Sequence, residues 1–126
     1  MGQFLTTKSA GDAAEARALD FLQARGLKLV ERNYRVARGP SRPGGEIDLI
    51  VRDPADGTLI FVEVRQRSRD DFGSAAESVT PAKQRRVIHA ARHYLSRLMP
   101  WPPCRFDVVC IDADRIEWLQ AAFDAG

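Results

Sequence analysis

Three acidic residues in this chain, Glu15, Asp48 and Glu63, are spaced so that a fold could gather them. Three carboxylates make a hard-oxygen set suited to Mg²⁺ or Mn²⁺, the ions used for chemistry at phosphate. Asp48 and Glu63 fall in two alternating segments, Glu46 to Arg52 and Leu59 to Arg67, which read as strands joined by the hairpin connection Asp53-Pro-Ala-Asp-Gly-Thr58. With residues 53 to 58 as the loop, the register sets Asp48 opposite Glu63 and Glu46 opposite Arg65. Opposed carboxylates have Cβ atoms about 4.5 to 5.5 Å apart and repel, so the pair costs stability unless a cation lies between them. Ile50 and Phe61 share that face, which puts the pair at the edge of an apolar layer. Glu15 has Ala18, Leu19 and Leu22 as its helical neighbours, so it sits on or beside a buried helix face, where an unpaired carboxylate is expensive. Each residue also has a plainer reading. Glu15 would pair with an arginine, Glu46 and Arg65 would form a cross-strand salt bridge, and Asp48 would cap a turn.

The elements that must hold these groups are legible in order. A helix is expected from about Ser9 or Asp12 to Arg25, with Gly26 as its C-cap and Ala14, Ala18, Phe21 and Leu22 on its buried face. Leu27 to Val36 reads as a strand, followed by the basic turn-forming loop Arg38-Gly-Pro-Ser-Arg-Pro-Gly-Gly45. After the hairpin, Gln66 to Val79 is polar, contains Phe72-Gly73 and has the length of a flap over a site. Thr80-Pro81 supplies a capping hydroxyl and an N1 proline for a second helix reaching about Leu98, with an apolar stripe of Val87, Ile88, Ala91, Leu95 and Leu98. Arg105 to Ile111 is an apolar strand, and Arg115 to Phe123 a strand or a strand-to-helix segment.

The chain has 126 residues, 44% hydrophobic and 29% charged, which suits a single domain spanning residues 1 to 126 with one core. No apolar run is long enough for a membrane helix and the first residues lack a signal-peptide pattern, so a cytoplasmic protein with no membrane partner is expected. Cys104 and Cys110 are too few for a disulfide framework or a zinc site and are expected to be buried packing residues. Net charge is only +2, but its distribution is uneven. Thr80 to Arg105 holds Lys83, Arg85, Arg86, Arg92, Arg97 and Arg105 with no acid, whereas Phe106 to Gly126 holds five carboxylates and only Arg115. On the second helix Arg86, Arg92 and Arg97 belong to a basic stripe, read either as phosphate-tracking or as an ordinary solvated face. Gln84 lies on the core side of that helix and serves either the site or a structural hydrogen bond.

Gly45-Glu-Ile-Asp-Leu-Ile50 followed by Phe61-Val-Glu-Val-Arg65 resembles the split PD-D/E-x-K signature of the restriction-endonuclease-like superfamily, and archaeal Holliday junction resolvases in particular. With Gly11-Asp12-Ala-Ala-Glu15-Ala, Val79-Thr-Pro-Ala-Lys-Gln-Arg-Arg86 and Arg105-Phe-Asp-Val-Val added, the chain resembles the YraN-like family of small bacterial proteins over nearly its whole length. The resemblance implies a restriction-endonuclease-like α/β fold of three layers, a mixed sheet flanked by helices in the order α-β-β-β-α-β-β. It also implies that Glu15, Asp48 and Glu63 bind Mg²⁺ or Mn²⁺. The catalytic lysine of active superfamily members falls here on Arg65, which can hold a phosphate but is a poor general base. Lys83 is the substitute lysine that the second helix offers. The function implied is a Mg²⁺-dependent endonuclease on structured or branched DNA, with catalytic Glu15, Asp48, Glu63 and Arg65, and with Arg67, Lys83, Gln84, Arg86, Arg92 and Arg97 toward nucleic acid. A homodimer would follow by analogy with junction resolvases. The competing expectations are a non-catalytic nucleic-acid-binding protein with a degenerate site, and a protein-interaction role anchored by Trp101 and Trp118.

Overall fold

The alternating and helical patterns are realised in chain order as α1 (Thr7–Ala24), β1 (Lys28–Val36), β2 (Gly45–Arg52), β3 (Leu59–Gln66), α2 (Pro81–Leu95), β4 (Cys104–Ile111) and β5 (Ile116–Phe123). The structure is a computed structural model and describes residues 7–67 and 78–125, with side chains from residue 11 onward. Most of the expected flap, including Phe72-Gly73, lies outside the described residues. α1 begins before Ser9 and ends where Gly26, at φ +93, turns the chain into β1. The Thr80 side chain accepts from Lys83 N at 3.2 Å and Pro81 follows it, so α2 starts where the cap and the N1 proline place it. α2 stops at Leu95 and closes in turns through Leu98, a turn short of the helix expected. The last segment is a strand throughout.

The five strands form one sheet in the order β1-β2-β3-β4-β5. β3 and β4 run parallel and the other neighbours antiparallel. A parallel pair needs a crossover, and α2 lies within it. Ala14, Ala18, Leu19 and Leu22 of α1 pack with Leu49, Val51, Ile60 and Val62. Val87, Ala90, Ala91 and Leu95 of α2 pack instead with Ile50, Leu59, Phe61 and Phe106. Because alternate residues of one strand point to opposite faces, the two helices cover opposite faces of the sheet. The result is a mixed five-stranded sheet between two helices. Cys110 is buried as expected, whereas Cys104, at the very start of β4, is exposed.

The hairpin register is the expected one from Arg52↔Leu59 to Leu49↔Val62, and there the ladder stops. Beyond it the Asp48 side chain replaces a backbone acceptor, its Oδ2 taking the Val64 N–H at 2.8 Å. Ile47 packs on the α2 side together with Ile50, so the strict alternation of β2 is broken at Asp48. Asn33, at φ +52, stands opposite that break, between the pairs Arg32↔Leu49 and Tyr34↔Ile47. Asparagine tolerates this left-handed backbone better than a branched residue would.

Candidate functional site

The end of the β2–β3 ladder opens a cleft of about 890 Å³ whose walls include Glu15 from α1, Asn33 from β1, Glu46 and Asp48 from β2, and Lys83 from α2. With Gln66 of β3 also on the wall, two helices and three strands each contribute a polar group to one space. Glu15 is 9% exposed and Glu63 only 2%. Lys83 brings its Nζ to 3.3 Å from Glu63 Oε1, so the first turn of α2 delivers a cation to the buried carboxylate.

The electrostatics of this cluster are unfavourable to charge. Burial and then repulsion from Asp48 push the Glu63 carboxyl up to about 8, against the pull of Lys83. Burial also raises Asp48, while the Val64 N–H and a hydrogen bond with Glu63 act in the lowering direction. That mutual hydrogen bond lowers Asp48 and raises Glu63, so near neutral pH the two carboxyls share one proton and leave one negative charge beside Lys83. Glu15 is pushed up to about 7 by burial first, then by Asp48 and Asp12, with Arg32 opposing. A divalent cation would relieve all three. As they stand, no three His, Cys, Asp or Glu side chains among the described residues converge into a ready-made metal cage. Asp48 and Glu63 are the pair that could hold such an ion, and Glu15 lies on the wall of the cleft that Asp48 lines.

One sequence expectation is corrected here. Glu46 does not meet Arg65. Its carboxylate lies 3.7 Å from Arg35 Nη2 and 4.0 Å from Arg86 Nη2. The reason is the early end of the ladder, which carries Glu46 toward β1 and α2 and leaves the half-buried Arg65 with an Nε that has no hydrogen-bond partner among the described residues. Arg86, Arg92 and Arg97 are all exposed along α2 and its closing turns, and each also has a contact within the chain. Arg86 turns to Glu46, Arg92 donates to the Ala125 carbonyl at 3.2 Å, and Arg97 lies over the rings of Tyr34 and Tyr94. Gln84 donates to the Val79 carbonyl at 3.1 Å, the structural hydrogen bond of the two readings. Arg67 borders a small separate pocket with Asp112 and Arg115. Trp118 is partly buried and donates to Asp107, while Trp101 is exposed.

Sequence reasoning missed three residues of the cleft: Arg35, Asn33 and the structural role of Glu46 as a bridge between β1 and α2. An asparagine inside an otherwise strand-like run was the signal available for Asn33.

Fold and site together define a mixed α/β protein with a buried carboxylate pair, one member of which, Asp48, lines an open cleft. Residues 14–111 match the family described as "Uncharacterised protein family UPF0102". The chain is 60% identical over 121 residues to a UPF0102 protein of Methylibium petroleiphilum, covering 96% of this chain and 98% of that one. It is 63% identical over 115 residues to a UPF0102 protein of Cupriavidus taiwanensis, covering 91% and 82%. A UPF0102 protein of Albidiferax ferrireducens is 61% identical over 120 residues, covering 95% and 91%. The chain belongs to the UPF0102 family, the YraN-like family that its motifs resemble. No helix among the described residues is long and apolar enough to cross a membrane.

Proposed function

We propose that this chain binds nucleic acid and hydrolyses phosphodiester bonds in structured or branched DNA, with Asp48 and Glu63 as the residues that would hold Mg²⁺ or Mn²⁺ and Glu15 as the third carboxylate of the site. The observation that carries the reading is the proton-sharing pair itself: two carboxyl groups kept in mutual contact, one of them 2% exposed, beside an open cleft and met by a lysine. Such a pair is costly in an apo protein and is relieved by a divalent ion. The ion supplies Lewis acidity toward the phosphate and lowers the pKa of bound water. Lys83 takes the place of the superfamily lysine. Its ammonium, on a flexible stem at the mouth of the pair, offsets one carboxylate in the resting state and is positioned to hold a phosphate oxygen or the attacking water. Glu15, on the wall of the same cleft, is the carboxylate that would accept a proton from the attacking water. Arg65 is not required for proton transfer in this scheme.

The Lys83–Glu63 ion pair also suits the second reading, a nucleic-acid-binding protein in which the lysine permanently neutralises a degenerate site. One experiment separates them. Mn²⁺ binding is measured by titration for the parent, Asp48→Asn, Glu63→Gln and Lys83→Ala, and cleavage of duplex, single-stranded and branched DNA is followed in parallel. The nuclease reading expects Asp48→Asn and Glu63→Gln to lose the ion, and Lys83→Ala to keep it while losing about 10²- to 10³-fold in rate, the scale of one electrostatic stabiliser. Equal Mn²⁺ binding by the parent and both carboxylate variants would sink the metal site. Metal binding without cleavage of any substrate gives the second reading.

A further inference from the structure

The carboxylate cleft has a neighbour. A second cleft of about 920 Å³ lies between the β1–β2 loop and α2, and it shares Arg35 and Glu46 with the first as a common wall. Its other charged lining residues are Arg38 and Arg86, so three guanidinium groups face one carboxylate. That carboxylate does not use them up. Glu46 spans Arg35 at 3.7 Å and Arg86 at 4.0 Å, both long contacts to exposed side chains, and a guanidinium has five donors.

The cleft is built by close backbone packing, which fixes its width. A Cβ at Gly45 would stand 2.7 Å from the Arg86 carbonyl oxygen and 2.9 Å from Ala90 N, and one at Gly44 would stand 3.3 Å from the Val36 carbonyl oxygen. The start of β2 thus presses directly on the backbone of α2. This contact sets Arg38 on the loop wall and Arg86 on the helix wall of the same space.

We infer that this second cleft is a phosphate subsite for the strand that the carboxylate cleft engages, with Arg38 and Arg86 holding a backbone phosphate next to the one being cut and Arg35 bridging the two spaces. The inference rests on the reading of the first cleft as a phosphodiester site. It places the nucleic-acid contacts on the β1–β2 loop and the N-terminal half of α2, away from Arg92, which is engaged with Ala125. Bidentate arginine forks suit phosphate oxygens, and such contacts position a strand without reading its sequence.

The test is the salt dependence of binding to labelled single-stranded and branched DNA oligonucleotides, measured by fluorescence anisotropy for the parent, Arg38→Gln/Arg86→Gln, Arg38→Lys/Arg86→Lys and Arg92→Gln. Thermal melts confirm that each is folded. The glutamine pair is expected to lower affinity about 10-fold or more at low salt and to flatten the slope of log K against log[salt] by about 1 to 2 units, since each phosphate contact contributes about 0.7 to 0.9. The lysine pair keeps the slope but binds more weakly than the parent, because the charge survives and the fork does not. Arg92→Gln keeps the parent's slope, and Mn²⁺ binding at Asp48 and Glu63 is the same in every variant. A parent-like slope and affinity in the glutamine pair overturns the subsite and leaves the carboxylate reading standing. So does a slope that falls equally in Arg92→Gln, which would mark diffuse charge. A parent with no salt-dependent affinity for any oligonucleotide removes the nucleic-acid reading and the subsite together.

Discussion

Two places among the described residues bury carboxylates, and they are furnished in opposite ways. Asp107 in β4 is 0% exposed and every donor around it is spoken for. The Arg105 Nε donates to both of its oxygens at 3.0 and 3.2 Å, the Trp118 Nε1 to Oδ2 at 2.9 Å, and the Ala121 N–H to Oδ1 at 2.9 Å. Ala121 sits at φ +50, a left-handed turn of β5 held by that last bond. Asp48 and Glu63 have instead one backbone N–H, one lysine and each other. A buried carboxylate ringed by donors is a structural strut. One that crowds a second carboxylate is a pair that a cation would relieve.

The contrast predicts opposite responses to neutralisation. Asp107→Ala strands a guanidinium, an indole N–H and a backbone N–H in the interior, and should cost about 3 to 5 kcal/mol in denaturant unfolding. Glu63→Gln removes a repelling partner and should leave apo stability unchanged or higher at pH 8, while ending metal binding. A large loss from Glu63→Gln with none from Asp107→Ala would reverse the assignment of the two regions.

The effect next in size is on pH. Glu15 and Glu63 have folded pKa values raised to about 7 and about 8, above those of the unfolded chain. Their contribution to stability is therefore fully present below about pH 4.5 and is lost as pH rises through 7 to 8, by an amount on the order of a few kcal/mol. Asp56 and Asp112, lowered by turn N–H groups, act in the other sense and only in acid. Thermal melts of the metal-free protein should decline from about pH 5 to pH 8, and saturating Mn²⁺ should reverse the decline at pH 8, because the ion binds only the deprotonated site. A flat profile in that window would show that the carboxylates are not held protonated.

Much of this was readable from residues alone. Loop residues 53 to 58 gave the hairpin register, and the Asp53 N–H to Thr58 carbonyl bond of 2.9 Å closes the loop there. Thr80-Pro81 located α2 and hence Lys83. What failed was extrapolation of the ladder past Leu49↔Val62, since period-2 reasoning assumes an unbroken strand and Asp48 breaks it by taking a backbone donor for itself. The Glu46–Arg65 pairing fell with it. The Asp107 network was invisible because its donors come from β5, whose left-handed turn at Ala121 no propensity rule anticipates. The helical phasing of α2 set Arg86, Arg92 and Arg97 outward, and all three are exposed, but the bond from Arg92 to the Ala125 carbonyl was not legible in it.

A smaller effect tests how the site's walls are held. Gly45→Ala sets a methyl group 2.7 Å from the Arg86 carbonyl and 2.9 Å from Ala90 N, backbone atoms that cannot swing aside. Overpacking of this kind should cost about 1 to 3 kcal/mol, with α2 displaced from β2. Lys83 would move with the helix, so cleavage should fall more than Mn²⁺ binding does. A variant as stable and active as the parent would mean that α2 tolerates the shift and that the site does not depend on its seating.

The smallest expected effect is at Glu46, and it bears most directly on what separates a strut from a site. Its contacts to Arg35 and Arg86 are long and exposed, so Glu46→Gln should change stability by less than about 1 kcal/mol. Its charge nonetheless helps raise both Glu15 and Asp48. Neutralising it should therefore move the pH dependence of Mn²⁺ binding toward lower pH, since the ligands shed their protons more readily. It should also free Arg35 and Arg86 and raise oligonucleotide affinity modestly, about 2- to 3-fold at low salt, for the loss of one negative charge beside the clefts. A stability loss of several kcal/mol with no movement of the pH profile would instead make Glu46 a second Asp107, a fastening between β1, β2 and α2 with no part in tuning the carboxylates.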